Sequence, residues 1–317
     1  MPRVVVLDDY QKVARDSADW SPLSGRVELD VWHDHLADPD TLVAALAEAD
    51  VVVAMRERTP LPAGILARLP RLRLLVTTGM RNAAIDLDAA RARNMLVCGT
   101  GGSGAGTGEL AWGLLIALAR QLPAETAGVA RGGWQLGLGR ELAGGTIGIL
   151  GLGKIGTQVA GYARAFGMHA LAWSQHLTPQ RAAAAGAEWV EKDELFRRSD
   201  AVTVHMTLSD RTRGLVGTAE LASLGPRGFL INTSRGPIVD EAALLAALRD
   251  GVIAGAALDV FDAEPLPAGH ILRDLPNVIA TPHLGYVTEQ SYAVYFREVV
   301  ADIVGWLDGR PVRVLAG

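Results

Sequence analysis

The sequence predicts an α/β protein made of two doubly wound parallel-sheet domains, and three observations carry that reading. Short β-branched runs alternate with segments of helical period, the rhythm that covers a parallel sheet on both faces. At 317 residues the chain is about twice a typical ~150-residue domain. With 49% hydrophobic and 21% charged residues, it has apolar material for two cores, and a disordered or acidic-tail protein is excluded.

The elements follow in order. Residues 4–7 form the first strand, and Leu42, Val43 and Leu46 share one face of a helix over 41–49, entered after Pro39 and Asp40. Buried strands are expected at 51–54, 72–77 and 95–98, with helices at 61–69 and 85–93 between them. The glycine-rich stretch 99–108 reads as an interdomain crossing that runs into a helix over 109–120. A second series opens with a strand at 146–150, a helix at 154–166, a strand at 168–173 and helices at 179–185 and 193–198. It continues with strands at 201–205 and 229–232, a helix at 241–248, and strands at 253–258 and 278–280. The last helix, 289–307, is free to pack back on the first series.

Thirty Lys and Arg against 35 Asp and Glu give a formal net charge of -5 and a pI near 5.8. There is no basic footprint for nucleic acid. Cys98 is the single cysteine, so neither an internal disulfide nor a multi-cysteine metal site is available; no metal is read, and a reducing compartment suits the chain. The opening reaches Asp8 and Asp9 after only the short apolar run 4–7, which is not a signal peptide. The greasiest run, 110–119, is far short of the ~20 residues that span a bilayer. A cytoplasmic protein without membrane attachment is expected.

The segment from Gly145 through Gly151, Leu152, Gly153, Lys154, Ile155 and Gly156 is a strand running into G-x-G-x-x-G and then a helix. Gly151 permits the tight turn, Gly153 lets backbone approach a pyrophosphate, Gly156 lets helix and strand pack closely, and the anion sits on the helix N-terminus. An acid about 20 residues on normally binds the ribose hydroxyls of NAD. Here the second strand runs into Trp173, Ser174, Gln175 and His176, with no acid, and Ser174 holds the expected position. The repulsion that excludes a 2'-phosphate is missing, yet no arginine stands at Gln175 or His176, and the nearest, Arg181, is in a helix. NAD and NADP both stay open.

Three later segments place polar residues at strand ends: Asn232-Thr233-Ser234-Arg235-Gly236-Pro237, Asp259 through Glu264-Pro265, and Thr281-Pro282-His283. Each follows an apolar strand, and the carboxyl edge of a doubly wound sheet is where ligands bind. Hydride transfer to a 2-keto acid needs these types: a cation for the carboxylate or carbonyl, a proton donor for the new hydroxyl, and an acid that keeps the donor protonated.

With the glycine fingerprint, these motifs resemble the D-isomer-specific 2-hydroxyacid dehydrogenase family over about residues 51–288. The resemblance implies a Rossmann cofactor domain at 101–288 and a flavodoxin-like substrate domain, discontinuous, at 1–100 plus 289–317. It implies Arg235 on the substrate carboxylate and carbonyl, His283 as acid/base and Glu264 as its partner. It implies cofactor contacts from Gly151, Gly153, Lys154, Ile155, Gly156, Ser174, His205, Thr207 and Thr233, with Thr107 beside the nicotinamide and Asp259 on its amide. The loop Thr78-Gly79-Met80-Arg81 would offer backbone N–H groups to the substrate carboxylate. A homodimer formed through the cofactor domain is also implied. Two departures stand out: Ser174 in place of the acid, and Thr207 where many relatives have proline near the adenine.

The function so implied is hydride transfer between NAD or NADP and a small D-2-hydroxy acid / 2-keto acid pair. The alternative on the same fold is a nucleotide-sensing, corepressor-like binding protein. Formate dehydrogenase is disfavoured, because those relatives carry glutamine where Glu264 stands. His33, His35, His169, His176 and His270, and the scattered tryptophans, read as surface or packing residues; Arg56, Arg58 and Arg81 read as solvated strand-end charges, with an acidic side group on the substrate as the alternative.

Overall fold

Runs of valine, isoleucine and leucine become the central strands, because β-branched side chains fit a pleated surface that is covered on both sides. A computed structural model describes all residues, 1–317. The chain divides into two compact units, Met1–Ser103 with Val287–Gly317, and Gly104–Tyr286.

The first unit opens with β1 (Arg3–Val6), β2 (Glu28–Val31), α1 (Pro39–Leu46), β3 (Val51–Ala54), α2 (Ala63–Leu66), β4 (Leu74–Thr77), α3 (Leu87–Ala92) and β5 (Leu96–Gly99). All four residues of β3 and of β4 are buried, and each fully buried valine or leucine contributes about 1.5–3 kcal/mol. Helix α1 starts where Asp38 accepts the Thr41 N–H, a side-chain cap with Pro39 in the first turn. It therefore begins before, and ends before, the expected 41–49. The edge strand β2 had no signal in the sequence: it is four residues long and none is fully buried.

The second unit runs α4 (Gly106–Ala119), α5 (Leu122–Ala130), β6 (Thr146–Leu150), α6 (Lys154–Ala165), β7 (His169–Trp173), α7 (Pro179–Ala184), β8 (Glu188–Trp189), α8 (Lys192–Arg197) and β9 (Ala201–Val204). Then come α9 (Thr218–Leu224), β10 (Phe229–Asn232), α10 (Glu241–Arg249), β11 (Gly255–Leu258) and β12 (Val278–Ala280). The strand order is β12-β11-β10-β9-β6-β7-β8, parallel throughout. This is the doubly wound dinucleotide-binding order, reversing between β6 and β9. Two apolar clusters cover its faces: Trp112, Leu115, Ile147, Ile149 and Val159 on one, Leu150, Phe196, Val204, Leu230 and Leu258 on the other.

The chain then returns to the first unit as α11 (Glu289–Leu307) and β13 (Val314–Ala316). Helix α11 buries Tyr292, Tyr295, Phe296, Val299, Val300 and Ile303, and Phe296 packs on Trp20 with ring centroids 6.1 Å apart. Strand β13 pairs antiparallel with β5, giving the order β13-β5-β4-β3-β1-β2. The parallel part, β2-β1-β3-β4-β5, has the flavodoxin-like winding. No helix is long and apolar enough to cross a membrane.

Candidate active site

The turn between β6 and α6 is built by glycine for steric reasons. Gly151 has φ +107°, and a Cβ there would lie 2.7 Å from the His205 carbonyl carbon and oxygen; a Cβ at Gly156 would lie 2.2 Å from the Gly151 oxygen. Any side chain at either position forces β6, β9 and α6 apart. Gly153 is different, because a Cβ there would meet nothing within 4 Å. It caps α6 without any side-chain hydrogen bond, and the first-turn N–H groups of Lys154, Ile155 and Gly156 meet no protein acceptor, at the positive end of the helix dipole.

Two shielded polar atoms nearby have no protein partner: Thr233 Oγ1 and His205 Nδ1. Burial pushes the His205 imidazole down to about 4, so it is neutral, and its Nε2 lies 2.9 Å from Thr203 Oγ1. Buried polar atoms are rarely left unmet in native proteins. An open helix terminus with unmet polar groups beside it fits a dinucleotide. Ser174, at the end of β7, accepts the Leu152 N–H on Oγ at 2.8 Å; its hydroxyl proton remains available, and it ties the glycine turn to the second strand. Thr207 is exposed, and its carbonyl accepts from Thr212 Oγ1 at 2.7 Å.

The three polar segments follow the carboxyl ends of neighbouring strands, Arg235 after β10, Glu264 after β11 and His283 after β12. His283 Nδ1 lies 2.6 Å from Glu264 Oε2. Both side chains keep some exposure, 19% and 33%, so the pair is reachable. Glu264 is fixed by its other oxygen, which accepts the Phe261 N–H at 2.9 Å. The histidine ring stands edge-on to Tyr286, centroids 5.3 Å apart, and its backbone has φ +54°, an uncommon conformation for a non-glycine residue. Arg235 donates from Nη1 to the Ser234 carbonyl at 2.7 Å.

What holds that histidine loop is Asp259. It is completely enclosed and accepts from Thr281 Oγ1 (2.6 Å), Leu284 N (2.7 Å) and Gly285 N (2.8 Å). Burial nevertheless pushes its carboxyl above the ordinary carboxylate range. Thr107 Oγ1 clamps the same loop by donating to the Gly285 carbonyl at 2.8 Å. The bonds that Asp259 and Thr107 make in the structure thus serve the loop bearing His283.

Sequence reasoning passed over the bracing residues. Asn232 accepts the Ser234 N–H at 3.0 Å and donates to the Arg235 carbonyl at 3.0 Å, and Ser234 Oγ donates to the Met206 carbonyl. Asn232, Ser234 and Thr281 stand inside the motifs, so the signal was their polar character at buried or half-buried strand ends. In the first unit, the Thr78 N–H is spent on Ala54 O at 3.0 Å and the Gly79 N–H on Thr100 Oγ1 at 2.9 Å. Of the four N–H groups expected for an anion, only those of Met80 and Arg81 remain. No group of three His, Cys, Asp or Glu side chains is placed to hold a metal.

This arrangement can bind a dinucleotide on one strand–helix turn and exchange a proton at a nearby imidazole, which is the work of a nicotinamide-dependent dehydrogenase. The sequence profile described as D-isomer specific 2-hydroxyacid dehydrogenase, NAD binding domain, matches residues 112–285, and the chain belongs to that family. It is 37% identical over 257 residues to the D-3-phosphoglycerate dehydrogenase of Mycobacterium bovis, covering 80% of this chain and 48% of that protein. The chain therefore spans about half the length of that relative. It is 34% identical over 299 residues to the glyoxylate reductase of Aeropyrum pernix, covering 91% of this chain and 89% of that one. The crystal structure of a phosphoglycerate oxidoreductase from Vibrio cholerae superposes with a TM-score of 0.92 at 35% identity, covering 98% of this chain and 100% of the other.

Proposed function

We propose that the protein is an oxidoreductase that interconverts a small 2-keto acid and its D-2-hydroxy acid with NAD or NADP. The observation that carries this reading is the reachable 2.6 Å pair of His283 and Glu264 one strand away from Arg235. When bound, the dinucleotide supplies or accepts the hydride. Arg235 grips the substrate carboxylate and draws charge onto the carbonyl oxygen, as a planar fork does best. His283, held through Nδ1 by Glu264, delivers the proton from Nε2 to that oxygen in reduction and takes it back in oxidation. Residues 154–156 and Thr233 hold the dinucleotide, and Asp259 with Thr107 fixes the loop that carries the imidazole.

The first unit is proposed as the substrate domain, with Met80 and Arg81 as its anion-facing loop positions. A homodimer through the second unit is supported by its exposed apolar run: Leu122, Val129, Trp134, Leu136 and Leu138 are 44–93% exposed. A patch of this kind marks an interface. A cytoplasmic setting is supported by Cys98, a single free cysteine, which suits a reducing compartment.

The test is the oxidation of NADH and NADPH, followed by absorbance, against glyoxylate, hydroxypyruvate, pyruvate and bulkier 2-keto acids. Turnover of at least one acid is expected, with the two cofactors within about tenfold of each other and Ser174→Asp swinging the ratio toward NADH. Tight cofactor binding without turnover of any acid would favour the nucleotide-sensing protein instead.

A further inference from the structure

A cavity lies in the first unit, at the amino ends of β4 and β5, the edge of the sheet opposite to the one where ligands of open α/β folds bind. Its volume is about 500 Å³, and its lining includes Pro70, Leu72, Arg73, Arg93, Leu96, Trp306 and Leu307. The lining contains two guanidinium groups and no carboxylate. Arg73 stacks on Trp306, its Cζ 5.2 Å from the ring centroid, and Arg93 donates from Nη2 to the Leu69 carbonyl at 2.8 Å, while its Nη1 is shielded and finds no acceptor.

The neighbouring acids do not neutralise these arginines. Glu48 and Asp50 pair with Arg71, Asp88 with Arg91, and Asp308 with Arg26. A concave site with two positive charges, an indole and an apolar floor of Pro70, Leu72, Leu96 and Leu307 has a defined complement. That complement is an organic anion: an oxyanion for the guanidinium donors, carried on a flat apolar body for the indole and leucines.

We propose that this cavity is a binding site for a small organic oxyanion, a carboxylate or a phosphate monoester on a planar apolar body, separate from the proposed catalytic residues. The inference does not depend on which reaction the protein performs. The oxyanion sits against Arg73, with Arg93 adding charge from below, and the body lies along Leu96 and Leu307.

The experiment titrates benzoate, and separately phenyl phosphate, into ¹⁵N-labelled protein while following the indole N–H resonance of Trp306, assigned by its disappearance in Trp306→Phe. Benzyl alcohol is the uncharged control. Arg235→Gln is the background, which removes the anion anchor proposed in the second unit. At least one of the two anions is expected to move the Trp306 resonance in a saturable way in that background. Arg73→Gln should weaken the response at least tenfold while leaving the thermal midpoint in place, since Arg73 is exposed. Arg93→Gln should also weaken it. A preference for one anion identifies the head group as carboxylate or phosphate. A resonance that neither anion moves at 20 mM, about the weakest binding worth calling a site, overturns the proposal. A response equal for benzyl alcohol, or indifferent to Arg73→Gln in a folded variant, overturns it as well.

Discussion

Each unit contains a carboxylate beside a basic side chain, and the two pairs are opposite in character. In the second unit, Glu264 and His283 lie 2.6 Å apart with both side chains partly exposed. In the first, Asp302 is fully enclosed, with Arg313 Nη2 at 2.9 Å. Neither Asp302 oxygen finds hydrogen-bond geometry, and burial pushes its carboxyl up to about 7. The exposed pair has water and substrate within reach and can change protonation as part of a reaction. The enclosed pair can change protonation only by altering how well α11 is held to the segment before β13. Under the proposed function, similar side chains in similar doubly wound sheets would thus divide between chemistry and stability according to access to solvent.

Breaking the pair of the second unit at its imidazole should have the largest effect. His283→Ala is expected to lower turnover about 10³-fold in both directions, with cofactor affinity, measured by fluorescence titration, changed little. Arg235→Lys should follow, with a loss of about 10²-fold in kcat/KM, because an ammonium cannot reproduce the two-pronged fork. Near-normal turnover in Arg235→Lys would move the substrate anchor elsewhere.

The pair of the first unit predicts a smaller effect, on stability rather than rate. The folded-state value of Asp302 lies above its ordinary 3.8, at about 7. Between those values the folded protein holds a proton that the unfolded chain has lost, so this group's contribution falls as pH rises through that window. The loss is at most about 4 kcal/mol. Asp302→Asn cannot ionise and should flatten the dependence. Thermal midpoints of wild type and Asp302→Asn between pH 4.5 and 8 check this, and parallel curves would show that Asp302 stays charged throughout.

The two units also differed in how far their sequences could be read. In the second, the glycine turn was legible because its chemistry is a steric requirement: Gly151 and Gly156 have no room for a Cβ. The segments that carry Arg235, Glu264 and His283 could be picked out because each segment follows an apolar strand. The bracing role of Asp259 was not, since it depends on three donors 22 to 26 residues away in the chain. Helix α9 was passed over because its N-cap, Gly217, has no side chain to announce a start, and only Glu220 reaches back, accepting the Gly217 N–H at 2.9 Å. Helix α5 starts at Gln121 with φ +53°, and β8 has only two residues, so neither offered a period to read.

In the first unit, the strands were plain and the polar edge was not. Asp8 accepts from Thr59 Oγ1 at 2.6 Å and lies 3.0 Å from His35 Nδ1, and Asp9 accepts the N–H groups of Val13 and Ala14 at 3.1 Å. Arg58 lies over the Tyr10 ring at 4.3 Å and donates to the Asp8 carbonyl at 2.5 Å. His35 and Arg58, read from the sequence as surface groups, are therefore parts of a network. Its members come from three separate stretches of chain, and no local pattern joins them.

The most direct test of the central claim, that His283 and Glu264 act as one proton-donating unit, is the rate of keto-acid reduction in wild type, Glu264→Gln, His283→Ala and the double variant, measured where chemistry limits the rate. Glutamine keeps the size of the side chain that meets Nδ1 at 2.6 Å but removes the carboxylate. If the carboxylate acts only through the imidazole, Glu264→Gln should slow reduction in the wild-type background and change it little in the His283→Ala background. Losses that add independently in the double variant would contradict the account.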